Sequence, residues 1–208
     1  PDGSKIIYVS KKKVGTEYAV STNTDLYEYD LANKTTKNLT PENLGYDTAP
    51  QFSPNGDLTW LQMKRDGYEA DKNDIKLMDL KSGKTSNLTK AWDESVTGDV
   101  FWSGDSKNIY FTAAFRGTKQ LFSLNPKDSK VQQITKGDFD INEIFADQKS
   151  SLLVSKTDIN HAAELFSVNL KNGDLKPVTE ANKDNYAKLT QGKSELKMVK
   201  TSDGKEMG

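Results

Sequence analysis

Short runs of alternating apolar and polar residues recur along the chain, and each run is followed by a tight polar turn. Leu26–Leu31 reads Leu-Tyr-Glu-Tyr-Asp-Leu and is followed by Ala-Asn-Lys-Thr. A period of two places successive side chains on opposite faces of a strand, and turns of this composition join antiparallel neighbours. Comparable runs occupy 75–80, 121–124 and 165–170. The pattern predicts β-hairpins throughout, since no comparable stretch has helical periodicity.

These hairpins belong to a repeated unit. A Leu, Ile or Val followed by Thr closes the unit at Thr40, Thr89, Thr135 and Thr179, at spacings of 49, 46 and 44 residues. Another hairpin precedes this one in each unit, with its turn within Phe52–Asp57 in the second unit. Four short antiparallel strands in roughly 45 residues match one blade of a β-propeller. The sequence therefore predicts an all-β, incomplete β-propeller with about four blades of four antiparallel strands, at 1–40, 49–89, 98–135 and 142–179.

The order of strands in a blade decides where the loops lie. Strands alternate in direction, so the turns after the first and third strands share one face of the propeller, here named the turn face. The links between second and third strands, and the connections between blades, share the opposite face, here named the connecting face. We expect the links to be long, at 11–21, 64–73, 113–119 and 157–163. Loops on a rigid scaffold carry function, so the connecting face is the predicted functional surface.

Composition narrows the chemistry that this scaffold can support. The 208 residues carry 29 Lys and Arg against 30 Asp and Glu, a formal net charge of −1, so we expect neither nucleic acid nor an anionic membrane as a partner. The chain has no cysteine, which excludes disulfides, thiol nucleophiles and cysteine-bound metals. His161 is the single histidine. Because no Gly-x-Ser-x-Gly motif accompanies it, we expect an ordinary histidine of the fourth link.

Both ends of the chain carry turn sequences without a neighbouring strand run. Pro1–Lys5 reads Pro-Asp-Gly-Ser-Lys, and Thr201–Gly208 contains Ser-Asp-Gly. Proline fixes φ and glycine accepts a positive φ, which is the chemistry of a turn. We therefore expect a piece of a longer protein, with a partial propeller over 1–190 and a linker within 191–208.

Several segments resemble those of one enzyme family. The blades are similar to TolB-type, WD40-like repeats. Met63–Lys72 and Ala113–Phe122 resemble loops of consecutive blades in acylaminoacyl-peptidase and dipeptidyl-peptidase-5 type enzymes, within the prolyl oligopeptidase family of serine peptidases. Ala162–Phe166 resembles that family's last-blade Pro-x-Glu-Leu-Tyr segment, with Ala in place of Pro. Leu196–Met207 resembles the strand that opens the family's α/β-hydrolase domain.

This resemblance implies a propeller that caps a C-terminal hydrolase domain, of which 191–208 holds the first strand. The parent would be a secreted or periplasmic serine peptidase that releases dipeptides or acylated short pieces from peptide N-termini. The propeller would act as a size filter and bind the N-terminal end of the peptide. Because Gly-x-Ser-x-Gly is absent, the resemblance implies no catalytic residue, metal or cofactor in this chain, and no activity of the chain alone.

Six residues predicted to lie on the connecting face are candidates for contact with a peptide substrate or with the hydrolase domain. They are Arg65, Tyr68, Glu69, Asp71, Trp92 and Arg116. Arg65 and Arg116 are the two arginines beside 27 lysines, and arginine can hold a carboxylate through two parallel bonds. The two acids could pair with a substrate ammonium group, and the two aromatics could line a cavity. The alternatives are an ion-pair network that ties adjacent blades together, and burial of the aromatics between blades.

Other functions are also compatible with the sequence. A non-catalytic, TolB-like propeller could use the same face for a protein partner. A propeller lyase would usually need several histidines or a metal cluster. Asp138–Glu143 resembles the start of a calcium loop, but Glu143 and Lys149 replace the required Gly and Glu, so we expect a blade connection. A partial propeller leaves two blade faces bare, so we also expect association through them, for example as a homodimer.

Overall fold

The computed structural model describes residues 3–207; Pro1 and Asp2 of the expected first turn, and Gly208, lie outside the described residues. Four antiparallel sheets follow one another along the chain, which confirms the all-β, incomplete propeller. The first sheet contains β1 (Lys5–Ser10), β2 (Asp25–Asp30) and β3 (Thr35–Asn38). The second contains β4 (Asp47–Phe52), β5 (Leu58–Gln62), β6 (Asp74–Met78) and β7 (Thr85–Asn87).

The third and fourth sheets repeat the arrangement of the second. The third contains β8 (Phe101–Trp102), β9 (Ile109–Phe115), β10 (Thr118–Asn125) and β11 (Lys130–Gln133). The fourth contains β12 (Asp140–Asp147), β13 (Ser151–Asp158), β14 (His161–Asn169) and β15 (Leu175–Pro177). The remaining elements are α1 (Gly15–Val20), α2 (Lys183–Tyr186) and the paired strands β16 (Val199–Lys200) and β17 (Glu206–Met207).

The structure departs from the sequence expectations at four places. The first sheet has three strands in the described residues rather than four, and β1 is the second strand of the blade pattern. The link at 11–21 holds the short helix α1. The expected long links at 113–119 and 157–163 are wrong, since each is a two-residue turn, at Arg116-Gly117 and Ile159-Asn160. Consequently His161 is the first residue of β14 and not part of a loop.

Each pair of consecutive sheets encloses its own apolar core. Leu26 of the first sheet packs with Leu58 and Trp60 of the second. Phe111 and Phe122 of the third sheet stack on each other at 5.8 Å between ring centroids and pack against the second sheet. The outer two sheets are therefore each covered on one face only by a neighbouring sheet.

A repeated hydrogen bond explains the Thr that closes every unit. Its Oγ1 accepts the backbone N–H of a Leu or Ile 14 residues earlier, within the third strand of the blade pattern. The pairs are Thr40 with Leu26, Thr89 with Ile75, Thr135 with Leu121 and Thr179 with Leu165, over 3.0, 3.0, 2.9 and 2.9 Å. The hydroxyl thus accepts a hydrogen bond from an amide of the third strand that has no backbone partner in the last strand. A buried N–H needs such an acceptor.

The first strands of successive sheets converge on one cavity. Phe52 of β4, Phe101 of β8 and Phe145 of β12 line a space of about 800 Å³ together with the acids Asp99 and Glu143. This arrangement marks the axis of the propeller, because the first strands lie innermost. No helix in residues 3–207 is long and apolar enough to cross a membrane.

Candidate functional site

The link between β5 and β6 is held by the carboxylate of Asp71. Its Oδ2 accepts the backbone N–H of Lys64 at 3.1 Å and of Arg65 at 2.9 Å. Its Oδ1 accepts Arg65 Nη2 at 3.0 Å and the N–H of Lys72 at 3.1 Å. The bond from the Arg65 guanidinium is the main cause that lowers the pKa of Asp71 to about 2. Both oxygens of Asp71 are therefore engaged within its own loop.

Arg65 remains available on its outer side. Its side chain is 59% exposed, and its guanidinium lies 3.9 Å from the centre of the Tyr68 ring, a cation–π contact that fixes the direction of the side chain. Tyr68 is itself exposed. Glu69 lies in the same loop, where Oε1 accepts the hydroxyl of Tyr46 at 3.2 Å. Four of the six candidates are thus brought together on one loop of the connecting face.

The same loop is tied to the first sheet through a residue that the sequence did not single out. Asp66 Oδ1 accepts Ser21 Oγ and the N–H of Thr22, both at 2.7 Å. In return Gly67 donates its N–H to Thr22 Oγ1 at 2.9 Å. The hydroxyl of Ser21 is the main cause that lowers the pKa of Asp66. Ser21 and Asp66 lie 45 residues apart, so no local spacing indicates the contact.

Gly45 lies in the connection between the first and second sheets, and its missing side chain lets this connection pack directly against the backbone at Met63, where the β5–β6 link begins. A Cβ at Gly45 would overlap the backbone carbonyl of Met63, closer than van der Waals contact permits. The loop of Arg65, held internally by Asp71, is therefore positioned against its neighbours by Asp66 and by this close backbone approach.

Trp92 is partly buried and packs against the core between the second and third sheets. Its ring meets Phe111 and Phe122 edge-on, at centroid distances of 5.4 and 5.3 Å. Its carbonyl oxygen accepts the ammonium group of Lys72. This position agrees with the alternative expectation for Trp92, which was packing between blades.

Arg116 occupies the tip of the β9–β10 hairpin. Arg116 and Gly117 have φ of 50° and 78°, and positive φ at both positions of a two-residue turn matches type I′. The Arg116 guanidinium lies 5.5 Å from the centre of the Phe115 ring, and it forms no ion pair within residues 3–207. In that same range no side-chain hydrogen bond or ion pair joins it to the loop of Arg65, so the structure keeps the two arginines in separate places.

The chain that follows the fourth sheet leaves on the connecting face and passes Arg116. A cavity of about 440 Å³ is lined by Arg116, Phe139, Ile159 and Leu196. A Cβ at Gly117 would lie 3.4 Å from Leu196 Cδ1, which shows how closely the segment follows the hairpin. The segment after Pro177 therefore crosses the tight turns of the third and fourth sheets.

Exposed apolar side chains are concentrated on the connecting face. This face and its outgoing segment carry Val14, Tyr18, Val20, Leu44, Tyr68, Ile159, Val178, Leu189, Leu196 and Met198, which are between 44% and 82% exposed. Within the described residues, the turns of the opposite face expose one large apolar side chain, Leu31. In the part of the chain that the structure describes, no group of three or more acids and histidines could hold a metal ion.

Comparison with known proteins agrees with the repeat and the sheets. A family model described as the TolB beta propeller domain matches residues 1–205. The chain belongs to the TolB β-propeller family. A curated dipeptidyl-peptidase 5 of Porphyromonas gingivalis is 38% identical over 208 residues, covering 100% of this chain and 30% of that protein. Dipeptidyl-peptidase 5 of Porphyromonas endodontalis is 38% identical with the same coverage. The chain thus spans 30% of the length of these two relatives.

Solved structures place this TolB-type propeller among others of the same fold. The acylaminoacyl peptidase of Pyrococcus horikoshii superposes with a TM-score of 0.70 at 20% identity, over 90% of this chain and 28% of that one. TolB of Acinetobacter baumannii superposes with a TM-score of 0.61 at 17% identity, over 86% of this chain and 42% of that one. At these identities the likeness shows the propeller fold.

Proposed function

We propose that this chain is the propeller part of a secreted or periplasmic serine peptidase of the dipeptidyl-peptidase 5 type. The observation that carries the proposal is the 38% identity to dipeptidyl-peptidase 5 over the whole chain. Localisation outside the cytoplasm is part of the proposal, and the TolB-type repeats support it.

The connecting face would dock on the catalytic α/β-hydrolase domain of the same protein. Its exposed apolar side chains support this role, because such a surface needs a partner in water. The direction of the outgoing chain also supports it, since the last strand of a blade ends on this face. Arg116 would bind a carboxylate of that domain, because its guanidinium has no acidic partner in residues 3–207.

Arg65 and Glu69 would contact the peptide. Arg65 presents its outer guanidinium nitrogens to solvent while Asp71 and Tyr68 fix its orientation. Glu69 would pair with the peptide's N-terminal ammonium group, whereas Asp71, with both oxygens engaged, would act through Arg65. The inner cavity at the axis would pass only unfolded or short peptides and so act as a size filter.

The chemistry would be supplied outside this chain. A serine nucleophile, a histidine base and an oxyanion hole would perform acyl transfer. The propeller would contribute binding and exclusion, so we expect its isolated form to hydrolyse no peptide.

A non-catalytic TolB-like binding propeller is the alternative, and the family model favours it equally at the level of the fold. The peptidase and the non-catalytic propeller predict different coding sequences downstream of the propeller. A hydrolase-length continuation with Gly-x-Ser-x-Gly, then Asp and His, supports the peptidase, and a stop codon soon after the propeller excludes it.

The functional experiment uses the complete gene product and dipeptidyl, aminoacyl and N-acyl chromogenic substrates. We expect the dipeptidyl substrate to be cleaved, and expect alanine at the motif serine to abolish cleavage. Glu69→Gln should raise KM for substrates with a free N-terminus, and Lys37→Gln, an exposed change in β3, should leave it unchanged. Equal KM in Glu69→Gln and the parent would remove Glu69 from the peptide site without affecting the peptidase assignment.

A further inference from the structure

His161 joins the fourth sheet to the segment that leaves it. Its Nδ1 lies 2.7 Å from Asp158 Oδ1, and its Nε2 lies 3.2 Å from Gln191 Nε2. An ionised carboxylate can only accept a hydrogen bond, so Nδ1 carries the hydrogen. In the neutral ring Nε2 is then an acceptor, and the amide of Gln191 is its donor.

Other contacts hold the same segment to the Ile159-Asn160 turn. Asn160 Nδ2 donates to the carbonyl of Gly192 at 2.8 Å, and Gln191 Nε2 also donates to the Asn160 carbonyl at 3.3 Å. The hydroxyl of Tyr186 accepts the N–H of Ala162 at 2.8 Å. The ring of Tyr186 meets the ring of His161 edge-on at 4.9 Å. His161 therefore lies at the centre of an attachment between the propeller and 186–192.

The other charged groups around His161 are each engaged in an ion pair or in hydrogen bonds. From β13, Lys156 Nζ lies 3.0 Å from Asp158 Oδ2. From the outgoing segment, Lys183 lies 2.9 Å from Glu180. In β14, Glu164 accepts the hydroxyl of Thr179 and the N–H of Asn182. One cavity of about 310 Å³ is lined by His161, Tyr186 and the charged residues of these contacts, which are Lys156, Asp158, Glu164, Glu180 and Lys183.

Asp158 keeps its charge at acidic pH. Burial raises its pKa, but the bonds from Lys156, His161 and Asn160 outweigh burial and lower it to about 2. The bond at Nδ1 is therefore retained whether or not the ring is protonated. Protonation changes the other side of the ring.

We infer that His161 is a proton-operated latch for the segment 187–196. Neutral His161 accepts the Gln191 amide and holds the segment across the tight turn of the fourth sheet. A proton bound at Nε2 places a donor opposite the donor of Gln191, which breaks that bond. Rotating the Gln191 amide would restore it only by facing its oxygen toward the Asn160 carbonyl. The segment is thus held by this bond at high pH and held less firmly at low pH, where the bonds of Asn160 to Gly192 and of Ala162 to Tyr186 remain.

The latch would open when the ring of His161 binds its second proton. The segment it holds passes Arg116 and leads to the β16–β17 hairpin. Opening would loosen the segment 187–196, and with it the position of the β16–β17 hairpin relative to the connecting face. The latch depends only on contacts within the described residues and stands apart from the proposed peptidase activity.

The test is amide exchange by NMR on the 208-residue chain between pH 5 and pH 8, corrected for the intrinsic rate. We expect the protection of the Ala162 amide, and of Lys188 and Leu189, to fall about five- to tenfold as pH decreases, as loss of one hydrogen bond implies. His161→Gln should make this protection independent of pH. An equal pH response in His161→Gln and the parent would overturn the latch.

A second variant keeps the test informative if His161→Gln perturbs the sheet. Gln191 is exposed and outside the cores, so Gln191→Ala should fold normally. We expect it to show the low protection at every pH, while Lys193→Gln, a change at an exposed neighbour, keeps the parent's response. A Gln191→Ala chain that still loses protection as pH falls would also contradict the latch.

Discussion

The indole of Trp60 donates its N–H to Asp47 Oδ1 over 2.6 Å, inside the interface of the first two sheets. Gln62 Nε2 donates to the same oxygen at 2.8 Å, and Asn43 Nδ2 donates to Oδ2 at 3.1 Å. Asp47 is fully buried, and none of these three donors carries a charge. Burial therefore raises the pKa of Asp47 above 3.8, against the effect of its hydrogen bonds.

The contribution of Asp47 to the free energy of unfolding should fall as pH rises. The folded state keeps the Asp47 proton to a higher pH than the unfolded chain, for which 3.8 is the ordinary value. The contribution of Asp47 is therefore greatest below pH 3.8 and decreases as pH rises through the folded-state pKa. Urea unfolding of the parent and Asp47→Asn from about pH 3 to pH 7 measures it. The difference in the free energy of unfolding, parent minus variant, should decrease over that range, and a constant or rising difference would contradict the assignment.

Thr135→Val should destabilise the chain by about 2 kcal/mol. Thr135 is fully buried, accepts the N–H of Leu121 and donates to Gln120 Oε1 at 2.8 Å, so valine leaves two buried polar groups without partners. Thermal or urea unfolding measures the change. Thr36→Val, at an exposed position of β3, is the matched control and should change stability by less than about 0.5 kcal/mol. Equal destabilisation by the two variants would show that the hydrogen bond between the Leu121 amide and Thr135 contributes nothing to stability.

Asp71→Asn should loosen the β5–β6 link more than Arg65→Gln. The asparagine loses the ion pair and one acceptor oxygen, whereas Arg65→Gln leaves the three backbone bonds to Asp71 in place. Exchange at the Lys64, Arg65 and Lys72 amides measures this. In the parent, the contribution of Asp71 is complete above pH 3.8 and disappears as pH falls through about 2, because its pKa is lowered. A larger effect from Arg65→Gln would reverse the roles of the two residues.

Chains of this length should associate through their outer blade faces. Ile7 and Leu26 of the first sheet pack toward the second, so alternation turns Ile6 and Tyr8 to the open face. Ile6 is 48% exposed. Ile6→Lys should therefore weaken association in sedimentation or X-ray scattering, and Leu31→Lys, at an exposed position of the turn face, should not. A monomer with a radius of gyration near ~17 Å at high concentration would contradict the prediction.

The amino-acid sequence was sufficient to predict the sheets and their order. A period of two, the Thr spacing and the turn residues act over a few neighbours, and these local rules specify hairpins whatever surrounds them. The same rules placed Arg65, Tyr68, Glu69 and Asp71 in one link. They failed at Arg116 and His161, where strand pairing continued through Ala113–Phe115 and Ser155–Asp158 because the neighbouring strand was long enough to supply partners.

Contacts between distant segments were decided only by the tertiary structure. Asp66 accepts the Thr22 amide although the two are 44 residues apart in sequence, and Gln191 contacts His161 although they are 30 apart. No periodicity in the sequence encodes such separations. The sequence by itself determined the repeating strands, the closing threonines and the face on which the links emerge, since each follows from hydrogen bonding and alternation along the chain. Only packing determined which acid is satisfied, which arginine is left without an ion pair among the described residues, and where the histidine finds its donor. These outcomes depend on how sheets far apart in sequence come together.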